Sequence, residues 1–154
     1  MGGEGRAEQA AVSARGVRVA VVAASWHEDV MAGLLAGARS YLAEVDADVA
    51  EVRVPGSFEI PIVAARLATT HDVVVALGVI IRGGTPHFEY VCNAVTDGLG
   101  RVALDSGTPV GFGILTCDTL EQALDRAGGP DASEDKGREA AAAAVETWTV
   151  LQQL

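Results

Sequence analysis

With 154 residues, 49% of them hydrophobic and only 5% aromatic, the chain is long enough for one domain whose core is built from Ala, Val, Leu and Ile. Eleven Lys and Arg against twenty-one Asp and Glu leave a formal net charge of -10, which argues against nucleic acid as a partner, because a phosphate-backbone footprint needs a basic patch. Cys92 and Cys117 form no CxxC pair, so neither a disulfide framework nor a thiolate metal site is indicated.

Residues 1–15 are rich in Gly, Ala and charge without periodicity and are expected to form a mobile arm ahead of a domain spanning 16–154. They lack the apolar centre of a signal peptide. No apolar run in the chain reaches the ~18 to 20 residues of a membrane helix, so a cytoplasmic, soluble protein is expected.

Val17 to Ser25 (VRVAVVAAS) reads as a short buried strand. In the segment that follows, Val30, Leu34, Ala38 and Leu42 recur at i+4 with Met31 and Leu35 beside them, which makes one apolar helix face. Val49 to Val54 alternates like a strand and is ended by Pro55-Gly56. Ser57 is placed to cap the next helix, in which Pro61 is tolerable near the first turn. VVVALGVII is the most apolar strand and is followed by a helix starting near His87; PVGFGILT is a fourth strand. Asp118 or Thr119 then starts a helix that Gly128-Gly129-Pro130 breaks, and a last Ala-rich helix runs from about Lys136. Strands alternating with helices imply an α/β fold with a parallel sheet, helices on both faces and right-handed crossovers. Ligands in such sheets sit beyond the carboxyl ends of the strands.

The residues just past those ends carry the chemistry. Trp26, Phe58 and Phe112 bring three aromatics towards one sheet edge, where they can stack on a flat heterocycle or simply cap the core. Gly83-Gly84-Thr85 can offer backbone N–H groups and a hydroxyl to an oxyanion, or be an ordinary turn. It is not a triphosphate loop, since no Lys-Ser/Thr follows, and no GxGxxG follows the first strand. His87 stands where an imidazole can exchange protons with a ligand in that loop, or where it is only a solvated helix start. His27 and His71 read as surface residues, and the three histidines are too scattered for a metal motif. Arg126 closes the fourth helix, where a cation suits the dipole. Lys136, the only lysine in the chain, opens the last helix, where a cation is disfavoured; neutralisation by Glu134 and Asp135 or a ligand contact would each account for it.

The blocks VPGSFEIP, ALGVIIRGGTPHFEYV, GFGILTCDTLEQALDRAG and EDKGREAA, in this order, strongly resemble the lumazine synthase (6,7-dimethyl-8-ribityllumazine synthase) family over Val17 to Leu151. The resemblance implies a flavodoxin-like fold with a four-stranded parallel sheet, and a transferase acting at the penultimate step of riboflavin biosynthesis. That reaction condenses 5-amino-6-(D-ribitylamino)uracil with 3,4-dihydroxy-2-butanone 4-phosphate, needs no cofactor and releases phosphate and water. It further implies a homopentamer with active sites between subunits. By the same resemblance Trp26 stacks on the pyrimidine, Ser57, Phe58 and Glu59 hold the ribityl chain, and Val79 and Ile80 line the ring pocket through their backbone. Gly84 and Thr85 bind phosphate and His87 transfers a proton. Phe112, Arg126 and Lys136 would come from the neighbouring subunit. Trp26-His27 stands where many members carry Phe-Asn. The loop AGGPDASED is longer than in members that build sixty-subunit capsids, so an isolated pentamer is expected.

Overall fold

The structure, a computed structural model, describes residues 4–5, 7–8 and 12–154. Four strands, β1 (Arg18–Ala24), β2 (Asp48–Val54), β3 (Val73–Ile81) and β4 (Val110–Cys117), alternate with helices α1 (Glu28–Glu44), α2 (Ile60–Leu67), α3 (His87–Ser106), α4 (Leu120–Arg126) and α5 (Lys136–Gln152). All strand pairs are parallel and the sheet order is β2-β1-β3-β4. The chain winds outward from β1 to β2, then crosses back to add β3 and β4 on the other side. This is the three-layer arrangement that the alternation of strands and helices implied, and the flavodoxin-like fold that the resemblance implied.

The layers follow from the period of two along each strand. Val19, Val21 and Ala23 of β1 and Val73, Val75 and Leu77 of β3 point to the face covered by α1, α4 and α5. Val22, Ala24, Val74, Ala76 and Ile114 point to the face covered by α2 and α3. Both sides of the central strands are therefore apolar, which is why β3 is buried from Val73 through Ile80 and reads as an unbroken hydrophobic run.

The first face is the better packed. Gly137 of α5 lies so close to α1 that a Cβ there would stand 2.0 Å from the Leu34 carbonyl oxygen. Around this crossing, Arg138 donates to both Glu44 carboxylate oxygens at 2.9 and 2.6 Å and stacks over Tyr41 at 5.5 Å. The second face is thinly covered, since α3, with 20 residues, buries only Val95 and Leu99.

Two local expectations need correcting. Ser57 does not cap α2: a 3-10 turn, Ser57–Glu59, precedes the helix, and the Glu59 carboxylate accepts from the Gly56 N–H at 3.1 Å. That frees the Ser57 hydroxyl to point into the fold, where it donates to the Val79 carbonyl at 3.4 Å. At the start of α5, Asp135 is the cap and accepts from the Arg138 N–H at 3.0 Å; the Lys136 ammonium pairs with Glu139 at 2.8 Å and Glu134 at 3.6 Å instead. Of the arm expected over residues 1–15, residues 1–3, 6 and 9–11 lie outside the described residues; Ala14 is buried, and its N–H donates to the Val45 carbonyl at 2.7 Å.

Gly137→Ala should cost about 1–3 kcal/mol of stability, because the added methyl forces α1 and α5 apart. Urea unfolding measures this, and an unchanged midpoint would mean the helices separate freely.

Candidate active site

Pairing of β3 with β1 stops at Ala23↔Leu77, whereas pairing with β4 continues to Ile81↔Cys117. The backbone of β3 from Gly78 to Ile81 thus has no strand partner on its β1 side. This happens at the point where the strand order reverses, the place at which open α/β sheets hold ligands. A cleft of ≈ 670 Å³ lies here, lined by residues that follow β1, β2 and β3.

From β1 comes Trp26. The strand end is fixed by Ser25, whose hydroxyl donates to the Val54 carbonyl at 2.8 Å, and by Arg53, which donates to the Ala24 carbonyl at 2.9 Å. His27 then adopts φ 56, ψ 70, the left-handed region, and caps α1. This reversal leaves Trp26 67% exposed, with its indole edge against Gly56, where a Cβ would come within 3.4 Å of Nε1. One aromatic face stays open to a flat ligand.

From β2 come Gly56 to Glu59. Ser57 is the one buried polar residue among the described residues. Its hydroxyl on the Val79 carbonyl marks the unpaired edge as hydrogen-bonding territory. Phe58 and Glu59 are exposed at the rim.

The third side is the loop after β3. A Cβ at Gly83 or Gly84 would meet nothing within 4 Å, so this backbone can be approached closely. The first N–H groups of the long helix α3, which begins at His87, have no intrahelical partners, and the positive helix end favours an anion there. Arg82 precedes the loop and is held by Asp118 at 2.8 Å and by Glu89. Those two carboxylates hold its guanidinium pKa above the ordinary value, Asp118 first, and Arg82 in turn keeps the Glu89 carboxyl below the usual range.

The structure brings Trp26, Ser57, Phe58, Glu59, Val79, Ile80, Thr85 and His87 to this one cleft, with Gly84 between lining residues Gly83 and Thr85. Phe112, Arg126 and Lys136 do not line it. Phe112 lies on β4, 47% exposed. Arg126 donates to the Gln122 carbonyl at 2.9 Å and approaches Glu134 at 3.7 Å, and Glu134 also faces Lys136. The antiparallel bridge Ala127↔Asp135 closes the intervening loop and brings the two cations to one carboxylate.

Sequence reasoning missed His27, Ile81, Phe88, Tyr90 and Val91 as lining residues. Tyr90 and Val91 were findable, since i+3 and i+4 from His87 share its helix face. His27 is exposed, as expected, but also lines the cleft. Among the described residues no cluster of His, Cys, Asp and Glu suits a metal ion, and no helix is long and apolar enough to cross a membrane. Burial pushes the Cys92 and Cys117 thiols up, away from nucleophilic thiolates.

A doubly wound sheet with an open aromatic face, a free backbone edge and a glycine loop at a helix start around one cleft can hold a flat heterocycle and an anionic group. Residues 16–152 match the sequence profile of 6,7-dimethyl-8-ribityllumazine synthase, and the chain belongs to that family. A protein named 6,7-dimethyl-8-ribityllumazine synthase from Kocuria rhizophila is 63% identical over 88% of this chain and 87% of its own length. Proteins of the same name from a Nocardioides species and from Frankia casuarinae are 61% and 56% identical over all of this chain, covering 97% and 98% of their own lengths.

The left-handed backbone of His27 predicts a specific stability pattern. His27→Gly should be neutral or stabilising by up to about 1 kcal/mol, whereas the β-branched His27→Val should cost about 1–2 kcal/mol. Thermal melts of the two variants decide it, and equal midpoints would mean that position 27 is not strained.

Proposed function

We propose that the chain is a transferase that condenses 5-amino-6-(D-ribitylamino)uracil with 3,4-dihydroxy-2-butanone 4-phosphate to 6,7-dimethyl-8-ribityllumazine, releasing phosphate and water in the penultimate step of riboflavin biosynthesis. One observation carries this reading: Trp26, Ser57, Thr85 and His87, delivered by three separate strand ends, open into one cleft in a chain of this family.

In this mechanism the pyrimidine stacks on the open face of Trp26 and is read by the unpaired backbone of Val79 and Ile80. Ser57, Phe58 and Glu59 take the ribityl chain. The butanone phosphate sits with its phosphate on the Gly84-Thr85 backbone and the start of α3. The substrate's own amine attacks the ketone to give an imine, phosphate leaves, and the ring closes, so no protein nucleophile is demanded. Holding two substrates in register is worth up to ~7 to 11 kcal/mol of the barrier, and proton transfer by His87 adds ~10²- to 10⁴-fold.

Phe112, Arg126 and Lys136 act from the neighbouring subunit of a homopentamer. Phe112 completes the aromatic sandwich, Arg126 binds the phosphate and with the loop N–H groups favours it as a leaving group, and Lys136 approaches the substrate. The thin cover of the α2/α3 face supports assembly there: Ile62, Tyr90, Leu104 and Phe112 are large, apolar and exposed. The pentamer stays isolated because the loop over residues 127–135, AGGPDASED, is longer than the tight turn that capsid packing needs. The loop is braced by Ser133, which donates to Asp125 at 2.6 Å. The free thiols of Cys92 and Cys117 suit the reducing cytoplasm.

Purified protein mixed with both substrates should form lumazine and release phosphate together, above the uncatalysed rate. Bound lumazine without turnover would mean a binding protein instead. His87→Ala should lower kcat by ~10²-fold or more with KM little changed; unchanged kcat would remove His87 from its role. The shared site has a sharper consequence. His87→Ala and Arg126→Ala chains, each impaired alone, should regain roughly a quarter of wild-type activity when co-assembled at equal amounts, because random mixing rebuilds about one intact interface in four. No recovery would mean that each chain carries its whole site.

A further inference from the structure

The segment that presents Thr85 and His87 is not held by packing. Residues 82–87 are all exposed, and neither Gly83 nor Gly84 has a neighbour that a Cβ would touch. No hydrogen bond to the side chain of Thr85 or His87 is made among the described residues. Yet general acid–base work needs the imidazole within a few tenths of an ångström of its productive place.

The contacts that span this segment all converge on Arg82. Its N–H donates to the Cys117 carbonyl at 2.9 Å, which ties it to β4. Its Nε donates to Asp118 Oδ1 at 2.8 Å, and another guanidinium N–H donates to Glu89. The guanidinium also lies over the Phe88 ring, 4.3 Å from its centroid. Arg82 therefore stands before the loop and grips the two residues that immediately follow His87, while the Glu89 N–H closes the turn onto the Pro86 carbonyl at 3.1 Å.

We propose that Arg82 is a positioning residue, a clamp that joins the end of β3, the tip of β4 and the first turn of α3, and so fixes where His87 faces the substrate. Arg82 does not line the cleft, and Asp118 and Glu89 each accept one of its guanidinium N–H groups. Lysine cannot substitute, since a point charge has neither the planar fork for two carboxylates nor the stacking face for Phe88.

This inference rests on the proposed reaction, and the test separates the two. Steady-state kinetics with both substrates are compared for wild type, Arg82→Ala, Arg82→Lys, His87→Ala and the Arg82→Ala/His87→Ala double variant, with thermal midpoints alongside. Arg82→Ala should lower kcat about tenfold or more, and Arg82→Lys should recover little of it. The double variant should be no slower than His87→Ala within about threefold, because one residue acts through the other. A merely structural Arg82 would give losses that multiply. Multiplying losses, full rescue by lysine, or an Arg82→Ala rate within about twofold of wild type would each overturn the proposal. If Arg82→Ala does not fold, Glu89→Gln, which leaves Arg82 in place, runs the same cycle with the same criterion. A wild type without turnover overturns the reaction and this proposal together; an active wild type with an unaffected variant overturns this proposal alone.

Discussion

A parallel strand that outlasts its neighbour exposes backbone N–H and C=O groups that have no ladder partner, and such groups must be satisfied by side chains, water or a ligand. β3 does this against β1 from Gly78 to Ile81, at the one position in the sheet where the winding direction reverses. The remaining features of the site depend on that mismatch. Ser57 can reach the Val79 carbonyl because no strand intervenes. Trp26 can turn out beside Gly56 because β1 has already ended, and the loop after β3 begins a residue beyond a strand still held by β4. The cleft is the space that a longer β1 would have filled.

Charge is arranged locally against the balance of the whole. A chain with a formal net charge of -10 repels anions at long range, so an anionic ligand depends on short-range partial charges and on cations kept in place by carboxylates. The glycine loop and the start of α3 supply N–H groups at a positive helix end. Arg82, Arg126 and Lys136 are each paired with acidic neighbours, which orders them and spends much of their charge. At the exposed pairs the Coulomb gain itself is small; the geometric constraint is what they contribute.

Most of the fold was legible because each element announces itself by one local rule. β3 has no polar interruption, α1 repeats its apolar residues at i+4, and Thr119 caps α4 by accepting from the Gln122 N–H at 3.2 Å. The site was legible as a set of residues past strand ends, since topology alone sends those to one edge. What escaped was set by tertiary geometry. Nothing local tells that a 3-10 turn will swing Ser57 inward, that Asp135 rather than a neighbour will cap α5, or that His27 will accept a left-handed backbone. Tyr90 and Val91 escaped for a different reason: their helical spacing from His87 was visible, but strand ends had drawn the reading away from the helix face. Phe112, Arg126 and Lys136, expected from a second subunit, do not line the cleft of their own chain.

The proposed reaction turns on a shared site: a flat ring held between Trp26 and a second chain, against the free edge of β3. A crystal structure of the assembled protein with 6,7-dimethyl-8-ribityllumazine bound tests it most directly. In it the ring should stack on Trp26, hydrogen-bond to the backbone of Val79 to Ile81 and lie under Phe112 of an adjacent subunit. A ring bound away from that edge, or enclosed by one chain alone, would contradict it.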